Sequence, residues 1–183
     1  MLITVVDLER EPLEFDEILQ PGAIEYGSDV KQLGPFQVSG RADLLQEHRG
    51  PRDVVSDIRL RANYEGHFEV PCARCVEPVN YDLKEDFDLI FRPTGADGEA
   101  AERSITTSET EIGYYQGSGL ELEDVLREQV LLSLPAKTLC RPDCKGLCPR
   151  CGINLNTETC TCDENKSDPR WTALSDLRSR IKL

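Results

Sequence analysis

The stretch "DIRLRANYEGHFEVPCARC", residues 57–75, combines the two patterns that organise this chain. Apolar and polar residues alternate along it with a period of two, which is typical of a β-strand with one buried face and one solvent-exposed face. The apolar positions of the alternation are Ile58, Leu60, Ala62, Tyr64, Phe68, Val70 and Cys72. Because the stretch ends in "CARC", the sequence predicts a long strand that runs directly into two thiols, Cys72 and Cys75.

The same alternation occurs on both sides of this strand. Residues 36–44 and 79–91 also carry apolar side chains at regular second positions. Consecutive strands without a helix between them favour an antiparallel meander. We therefore expect a hairpin turn within residues 72–78 and a sheet that is curled or barrel-like.

A helix is predicted after the strands. The segment "GSGLELEDVLREQVLLSLP" gives a helix over about 119–134, with Ser118 and Glu121 as a capping box and Pro135 as its stop. Its apolar stripe consists of Leu122, Val125, Leu126 and Val130. A stripe at this spacing is expected to pack on the buried face of the sheet.

The remaining segments give weaker signals. Near the start, Phe15, Ile18 and Leu19 have the spacing of one helical face. Residues 93–113 are polar and rich in small side chains, which indicates an exposed loop. A short closing helix is expected after Asp168. Its apolar residues are Trp171, Leu174, Leu177 and Ile181.

These patterns predict an α+β fold. An antiparallel, curled or barrel-like sheet carries one packed helix at about 119–134. A loop whose six clustered cysteines predict a bound zinc ion forms the C-terminal end, together with a short helix. We divide the chain into an acidic, β-rich domain over residues 1–135 and a cysteine-rich, metal-binding segment over residues 136–183.

The charge is distributed unevenly over these two parts. Residues 1–135 hold 28 acidic and 12 basic residues, whereas residues 136–183 hold 6 acidic and 9 basic residues, within a total net charge of −13. An acidic body is repelled by nucleic-acid phosphates, so a direct contact with RNA is expected from the cysteine-rich segment. The candidate contact residues there are Lys137, Arg141, Lys145 and Arg150.

The start of the chain, "MLITVVDLEREPLEF", lacks the basic and apolar regions of a secretion signal, and no run of about 18 apolar residues occurs. We therefore expect a cytoplasmic protein, whose thiols stay reduced.

The segment "CRPDCKGLCPRCGINLNTETCTC", residues 140–162, holds six of the eight cysteines. Its centre, "CPRCG", has the form of a zinc-knuckle turn, in which two thiolates grip one ion and the following glycine adopts a left-handed backbone. The candidate ligands are Cys140, Cys144, Cys148, Cys151, Cys160 and Cys162, with Cys148 and Cys151 the surest pair. Sulfur ligands favour zinc, and four of them leave no open position for catalysis. Disulfides, free redox thiols and an iron–sulfur cluster are the alternatives.

The second pair, Cys72 and Cys75 in "VPCARCVEPV", is ambiguous. A C-x2-C pair can be a thioredoxin-like redox centre, but that motif opens a helix, and here it falls in a hairpin turn. It can instead be a second knuckle that shares a metal with two C-terminal thiols, which would divide the eight cysteines into two sets of four. In the third interpretation, Cys72 belongs only to the buried register of the strand.

No catalytic constellation stands out. The sequence shows no Ser–His–Asp pattern, and "GADG" and "GSG" lack the strand and lysine of a phosphate-binding loop. We therefore expect no enzymatic activity.

Four blocks of the sequence resemble the YceD family, which is named for its effect on the accumulation of large-subunit ribosomal RNA. They are "VPCARCVEPV" (70–79), "LREQVLLSLPAKTLC" (126–140), "CKGLCPRCGINLN" (144–156) and "DPRWTALSDL" (168–177). The resemblance is to the cysteine-rich branch of the family. It implies a cytoplasmic, non-catalytic factor in the synthesis, processing or stability of 23S-type ribosomal RNA.

The resemblance and the charge pattern together predict the partners. They are ribosomal RNA or a pre-large-subunit particle, with a basic ribosomal protein as a client that the acidic sheet could shield. The rival functions are a thiol–disulfide oxidoreductase that uses Cys72 and Cys75, and a protein-interaction adaptor stapled by zinc.

Overall fold

The computed structural model of the chain describes residues 1–50, 53–96 and 112–162, without the side chains of Arg49 and Asp53. Its elements in chain order are β1 (Leu2–Thr4), α1 (Val5–Leu8), β2 (Leu13–Leu19), β3 (Lys31–Gln32), β4 (Phe36–Gly50), β5 (Asp53–Pro71), β6 (Pro78–Pro93), β7 (Ile112–Tyr115), β8 (Gly119–Glu121) and α2 (Leu122–Ser133). The predicted closing helix after Asp168 lies outside the described residues, as does most of the predicted loop at 93–113.

The predicted meander is confirmed. Strands β4, β5 and β6 pair antiparallel in sequence order, and the β5–β6 hairpin closes at the pair Pro71 and Pro78. The six-stranded sheet has the order β2-β4-β5-β6-β7, with β3 paired to β5. The α+β class with an open, curled sheet is therefore confirmed. One pairing departs from the antiparallel pattern, because β7 lies parallel to β6.

The helical interpretation of the N-terminal region is wrong. Residues 13–19 form strand β2, in which Phe15 is buried and Ile18 is 57% exposed. Phe15 pairs with Gly40 of β4, and a Cβ atom on Gly40 would lie 2.7 Å from the Phe15 ring. The missing side chain thus makes room for the aromatic ring, and burial of that ring favours the strand over the helix.

Helix α2 is shorter than predicted. Residues 119–121 form strand β8, which pairs with β1, and the helix begins at Leu122. The capping box is wrong, because the N-cap residue is Glu121 and it makes no side-chain cap hydrogen bond. The apolar stripe is confirmed: Leu122, Val125, Leu126 and Val130 are all buried. The helix ends before Pro135, which cannot donate the next helical hydrogen bond.

The helix and the sheet share one core. Its aromatic part is a chain of edge-to-face contacts. The Phe68 ring contacts Tyr26 and Phe36, and the Phe36 ring contacts Tyr64, at ring-centre distances of 5.3–5.9 Å. The hydroxyl of Tyr64 reaches Ser133 of α2 at 2.7 Å, so this buried polar group is satisfied by the helix that covers it. Within the described residues, no helix has the length and apolar character needed to cross a membrane.

A buried ion pair stabilises the far end of the sheet. Arg92 of β6 donates to Asp57 of β5 at 2.8 and 3.1 Å and to Glu47 of β4 at 2.8 Å. The side chains of Arg92 and Asp57 are only 7% and 8% exposed. Taking such charges out of water is costly, so each one depends on its partner.

We expect Asp57→Asn to destabilise the fold by about 2–3 kcal/mol, because it keeps the shape of the side chain but leaves Arg92 with less compensating charge. Urea unfolding measures this loss. The matched control is Asp88→Asn, which makes the same change in the exposed pair with Arg59 and should have little effect. Equal effects of the two substitutions would contradict the role of burial.

Candidate metal centres

The β5–β6 hairpin ends in a tight turn that presents two thiols. The backbone N–H of Cys72 donates to the carbonyl of Glu77 at 2.8 Å, and the N–H of Val76 donates to the carbonyl of Cys72 at 2.9 Å. These bonds fold residues 72–77 back on themselves. As a result, Cys72 and Cys75 are both buried, although Ala73, Arg74 and Val76 in the same turn are exposed.

The turn at residues 148–153 repeats this geometry. The N–H of Cys148 donates to the carbonyl of Ile153 at 2.8 Å, and the N–H of Gly152 donates to the carbonyl of Cys148 at 2.9 Å. Both turns have the sequence C-x-R-C, with Arg74 in one and Arg150 in the other. The sequence contains this repeat, but a repeat of four residues is too short to be significant without the structure.

The residue after the second cysteine of each turn has a left-handed backbone. Its φ is +75° at Gly152 and +64° at Val76. Val76 is the one non-glycine residue with a positive φ among those described, and 63% of its surface is exposed. A β-branched side chain is disfavoured in this conformation, so the turn is held by its hydrogen bonds and by the thiols it presents.

The eight cysteines form two groups of four. Cys72, Cys75, Cys140 and Cys144 make tetrad 1, and Cys148, Cys151, Cys160 and Cys162 make tetrad 2. Within each tetrad all sulfur atoms lie within 4.8 Å of one another. All eight cysteines are free, which does not favour the disulfide alternative.

The sulfur spacing fits tetrahedral coordination. A zinc ion with bonds of about 2.3 Å to four sulfurs requires sulfur–sulfur distances of about 3.8 Å. In tetrad 1 the sulfurs of Cys72 and Cys144 are 3.8 Å apart, and those of Cys75 and Cys140 are 3.5 Å apart. In tetrad 2 the Cys160 sulfur lies 3.3 Å from that of Cys148 and 3.7 Å from that of Cys151. Each tetrad can therefore hold one metal ion.

The structure divides the six candidate ligands of the C-terminal segment between the two tetrads. Cys148 and Cys151 lie together, as expected of the surest pair, and Cys160 and Cys162 join them. Cys144, however, faces the hairpin thiols, together with Cys140. This grouping matches the alternative in which Cys72 and Cys75 form a second knuckle with two C-terminal thiols. Spacing along the chain did not show which two they are, because the hairpin lies about 70 residues away from Cys144 and meets it only through the fold.

Tetrad 1 joins the sheet to the C-terminal segment. Besides the sulfurs, the N–H of Ala73 donates to Thr138 at 2.8 Å and the N–H of Leu147 donates to Arg74 at 3.0 Å. The Arg74 guanidinium donates to the carbonyl of Cys144 at 2.7 Å. Tetrad 1 is mostly buried, whereas in tetrad 2 only Cys148 is buried.

Hydrogen bonds from nearby backbone N–H groups lower the pKa of the first thiol of each C-x-R-C turn. Burial opposes the ionisation of Cys72, but N–H groups of Arg74, Cys140 and Cys75 lower the pKa of this thiol to about 6. At Cys148, the N–H groups of Cys151 and Arg150 lower the pKa to about 6 as well. Hydrogen bonds to a thiolate stabilise its charge, and the thiolate is the form that binds metals.

Asn156 was not anticipated from the sequence. Its side-chain amide donates to the sulfur of Cys144 at 3.3 Å and to the Oδ1 of Asn154 at 2.8 Å, while its own Oδ1 accepts the N–H of Lys145 at 2.8 Å. Although burial opposes it, the Asn156 bond contributes to a lowered pKa of Cys144. Asn156 belongs to the loop of tetrad 2, yet it contacts tetrad 1.

The predicted contact residues all lie exposed on the cysteine-rich segment. Lys145 and Arg150 line a hollow of about 480 Å³ beside tetrad 2, together with Cys148, Cys160 and Cys162. Arg141 lies 3.5 Å from Asp143, and Lys137 precedes the first cysteine of the segment.

The comparison with known proteins decides the family. The sequence profile described as "Large ribosomal RNA subunit accumulation protein YceD" matches residues 60–178, which is most of the chain. The chain belongs to the YceD family. The matched range contains the hairpin knuckle, helix α2 and all eight cysteines, and no solved structure matches the chain.

Several relatives are similar to this YceD-family chain. An uncharacterized protein of Mycobacterium tuberculosis is 37% identical over 107 residues, which cover 58% of this chain and 48% of the relative. The chain thus spans about half the length of its mycobacterial relatives. The uncharacterized protein YlbN of Bacillus subtilis is 26% identical over 93% of this chain and 90% of its own length. A chloroplastic YCED homolog 1 of Arabidopsis thaliana, named as a large ribosomal RNA subunit accumulation protein, is 30% identical over 34% of this chain and 20% of the relative.

The two left-handed positions provide a matched pair of substitutions. Val76→Gly should leave the stability unchanged or raise it by up to about 1 kcal/mol, because relief of backbone strain offsets the flexibility of glycine in the unfolded chain. Gly152→Val should cost about 1–2 kcal/mol, since no atom lies near its added Cβ and only the backbone opposes it. Urea unfolding of the metal-loaded protein tests both, and a large loss in Val76→Gly would show that its side chain packs.

Metal content distinguishes two tetrads from one. We expect two ions per chain by elemental analysis. The variant C72S/C75S should lose one ion and keep the other, and so should C160S/C162S, because each removes two ligands from a different tetrad. If the unaltered chain holds only one ion and C72S/C75S retains it, only the C-terminal thiols bind metal.

Proposed function

We propose that this protein is a non-catalytic binding factor in the accumulation of 23S-type large ribosomal RNA, and that two structural zinc ions shape its binding surface. The observation that carries the proposal is membership of the YceD family, whose description names large-subunit ribosomal RNA accumulation. The relatives from Arabidopsis thaliana and Zea mays are also named as large ribosomal RNA subunit accumulation proteins. The two tetrads supply the structural part of the proposal.

Zinc is the ion that the donor sets favour. Four thiolates in a tetrahedral arrangement suit zinc, and four protein ligands make a closed, structural site. In tetrad 1, zinc would hold the β5–β6 hairpin against residues 138–147. In tetrad 2, it would fold a segment that buries little apolar surface of its own.

The same arrangement argues against the oxidoreductase alternative. Cys72 and Cys75 share their site with Cys140 and Cys144, so an ion bound there would occupy the sulfurs that a redox cycle needs. A closed four-thiolate site also offers no position for a reactive water. We accordingly assign no catalytic residue.

Direct contact with RNA is proposed through Lys137, Arg141, Lys145 and Arg150. Their charges have a second role, because four thiolates around one divalent ion leave a net charge of about −2 that nearby bases offset. Only part of the positive charge then remains for phosphates, beside an acidic sheet. RNA binding should therefore be weak and sensitive to salt.

The proposed place of action is the cytoplasm, where reducing conditions keep thiolate ligands available. A basic ribosomal protein is the second candidate partner. It is favoured by the 28 acidic against 12 basic residues in residues 1–135. Long-range attraction of opposite charges would speed such an association.

A salt series tests the RNA contact. Binding of the metal-loaded protein to large-subunit ribosomal RNA fragments should weaken as salt rises, with a log–log slope no steeper than about −3 to −4, because at most four bases contact phosphates. The variant K137Q/R141Q/K145Q/R150Q should keep both ions and lose this slope. The matched control K31Q/R41Q/R59Q/K84Q removes the same charge from the sheet and should retain the salt-dependence slope.

Two outcomes would redirect the proposal. RNA affinity that does not depend on salt would rule out the phosphate contact. Salt-dependent binding to basic large-subunit proteins, with none to RNA, would identify the acidic sheet as the binding surface. In cells that lack their own YceD-family protein, expression of this chain should restore the ratio of large-subunit to small-subunit ribosomal RNA, whereas an unchanged ratio would contradict the proposed function.

A further inference from the structure

We propose that Asn156 couples the two metal sites, so that an ion in tetrad 2 strengthens the binding of an ion in tetrad 1. This inference rests on the two structural metal sites of the proposed function. It assigns Asn156 as a positioning residue, which acts on an ion through a ligand sulfur and does not touch the ion itself.

The loop between Cys151 and Cys160 is the physical connection. Both of its ends are ligands of tetrad 2, but its middle lies against tetrad 1. The N–H of Leu155 donates to the carbonyl of Gly146 at 2.9 Å, and Leu147 forms an isolated antiparallel bridge with Asn154. An ion in tetrad 2 would therefore fix the loop that carries Asn156.

The orientation of the Asn156 amide is fully determined. Its Oδ1 must accept the backbone N–H of Lys145, so its Nδ2 is directed to the sulfur of Cys144 and to Asn154. The backbone N–H of Asn156 donates to Asn154 at 3.0 Å as well. Every polar group of this amide is thus used, and one of its hydrogens serves a ligand of the other site.

A second contact ties the same loop to the hairpin. Asn154 donates through its side chain to the Oε1 of Glu77 at 3.3 Å, and Glu77 accepts the N–H of Cys72 through its carbonyl. The tetrad 2 loop thus supports tetrad 1 on two sides. In the reverse direction, tetrad 1 fixes Cys144, which lies only four residues before Cys148.

The free-energy cost of ordering residues 151–160 links the metal affinities of the two tetrads. An ion that binds tetrad 2 first would order residues 151–160, and Asn156 would then be in place when tetrad 1 binds its ion. Groups that donate to a ligand change metal affinity by about 10–100-fold when they are removed. Because coupling between two sites is reciprocal, tetrad 1 must strengthen tetrad 2 by the same factor.

Cobalt titration measures this coupling, since Co²⁺ bound to four thiolates absorbs visible light. The binding constant of tetrad 1 alone is obtained from C160S/C162S, and that of tetrad 2 alone from C72S/C75S. We expect the overall constant for two ions in the unaltered chain to exceed the product of these two by about 10-fold or more. If the overall constant equals the product of the single-site constants within about twofold, the proposal is overturned.

The role of Asn156 is tested by the isosteric change Asn156→Asp and by Asn156→Ala. The first places an oxygen opposite the Cys144 sulfur, and the second removes the donor without adding charge. In both variants the overall constant should fall to about the product of the single-site constants. Binding to tetrad 2 in the C72S/C75S background should change by less than about twofold.

The control is Asn63→Asp, which adds the same charge on the exposed face of β5, nine residues before Cys72 and up to about 30 Å away along the strand. It should preserve the coupling. Circular dichroism verifies that each variant keeps its sheet, and the coupling in the unaltered chain decides the question even if a variant unfolds. If the unaltered chain binds no ion, the proposed zinc sites fail, whereas two uncoupled ions would overturn the coupling and leave the zinc sites standing. Coupling that persists in a folded Asn156 variant would overturn the role of Asn156.

Discussion

The meeting of the β5–β6 hairpin with the C-terminal segment at tetrad 1 is the constraint on which the rest of the site depends. Two sulfurs come from the tip of the longest strand pair, and two come from a segment that follows α2. Among the described residues, Val79 and Leu139 are the apolar side chains that pack around them. Little apolar surface is buried at this junction, so the hydrogen bonds of the turns and the coordination of the proposed ion would provide the remaining stability.

This junction gives the two knuckles different roles. The hairpin knuckle follows directly on the paired strands β5 and β6, whose register runs up to Pro71 and Pro78. The knuckle at residues 148–153 is positioned through the residues that flank it: Leu147 donates to Arg74, Leu155 to Gly146 and Asn154 to Glu77. The positive φ of Val76 is consistent with this difference, because paired strands can hold a residue in a strained backbone conformation that an isolated loop would relax.

The electrostatics of the loaded protein differ from what residue counting suggests. Lys145 and Arg150 lie beside the sulfurs of tetrad 2, and part of their charge would compensate the thiolates of the proposed metal site. Lys145 and Arg150 border tetrad 2 and still face solvent. The acidic face of the sheet is itself partly paired, as in Arg59 with Asp88 and Lys84 with Glu65. Binding surfaces on this protein are therefore local arrangements of a few charges.

The sequence by itself determined the meander, the buried face of α2 and the family, because each depends on a local period or a contiguous motif. It did not determine β2, where room above Gly40 draws Phe15 into the sheet. The grouping of the thiols was also decided only by the tertiary structure. The sequence predicted that Cys148 and Cys151 act together, since two residues separate them. It could not assign Cys144 to Cys72, or Asn156 to Cys144, because these contacts join segments whose relative positions are fixed by the pairing of distant strands and by the turn that follows α2.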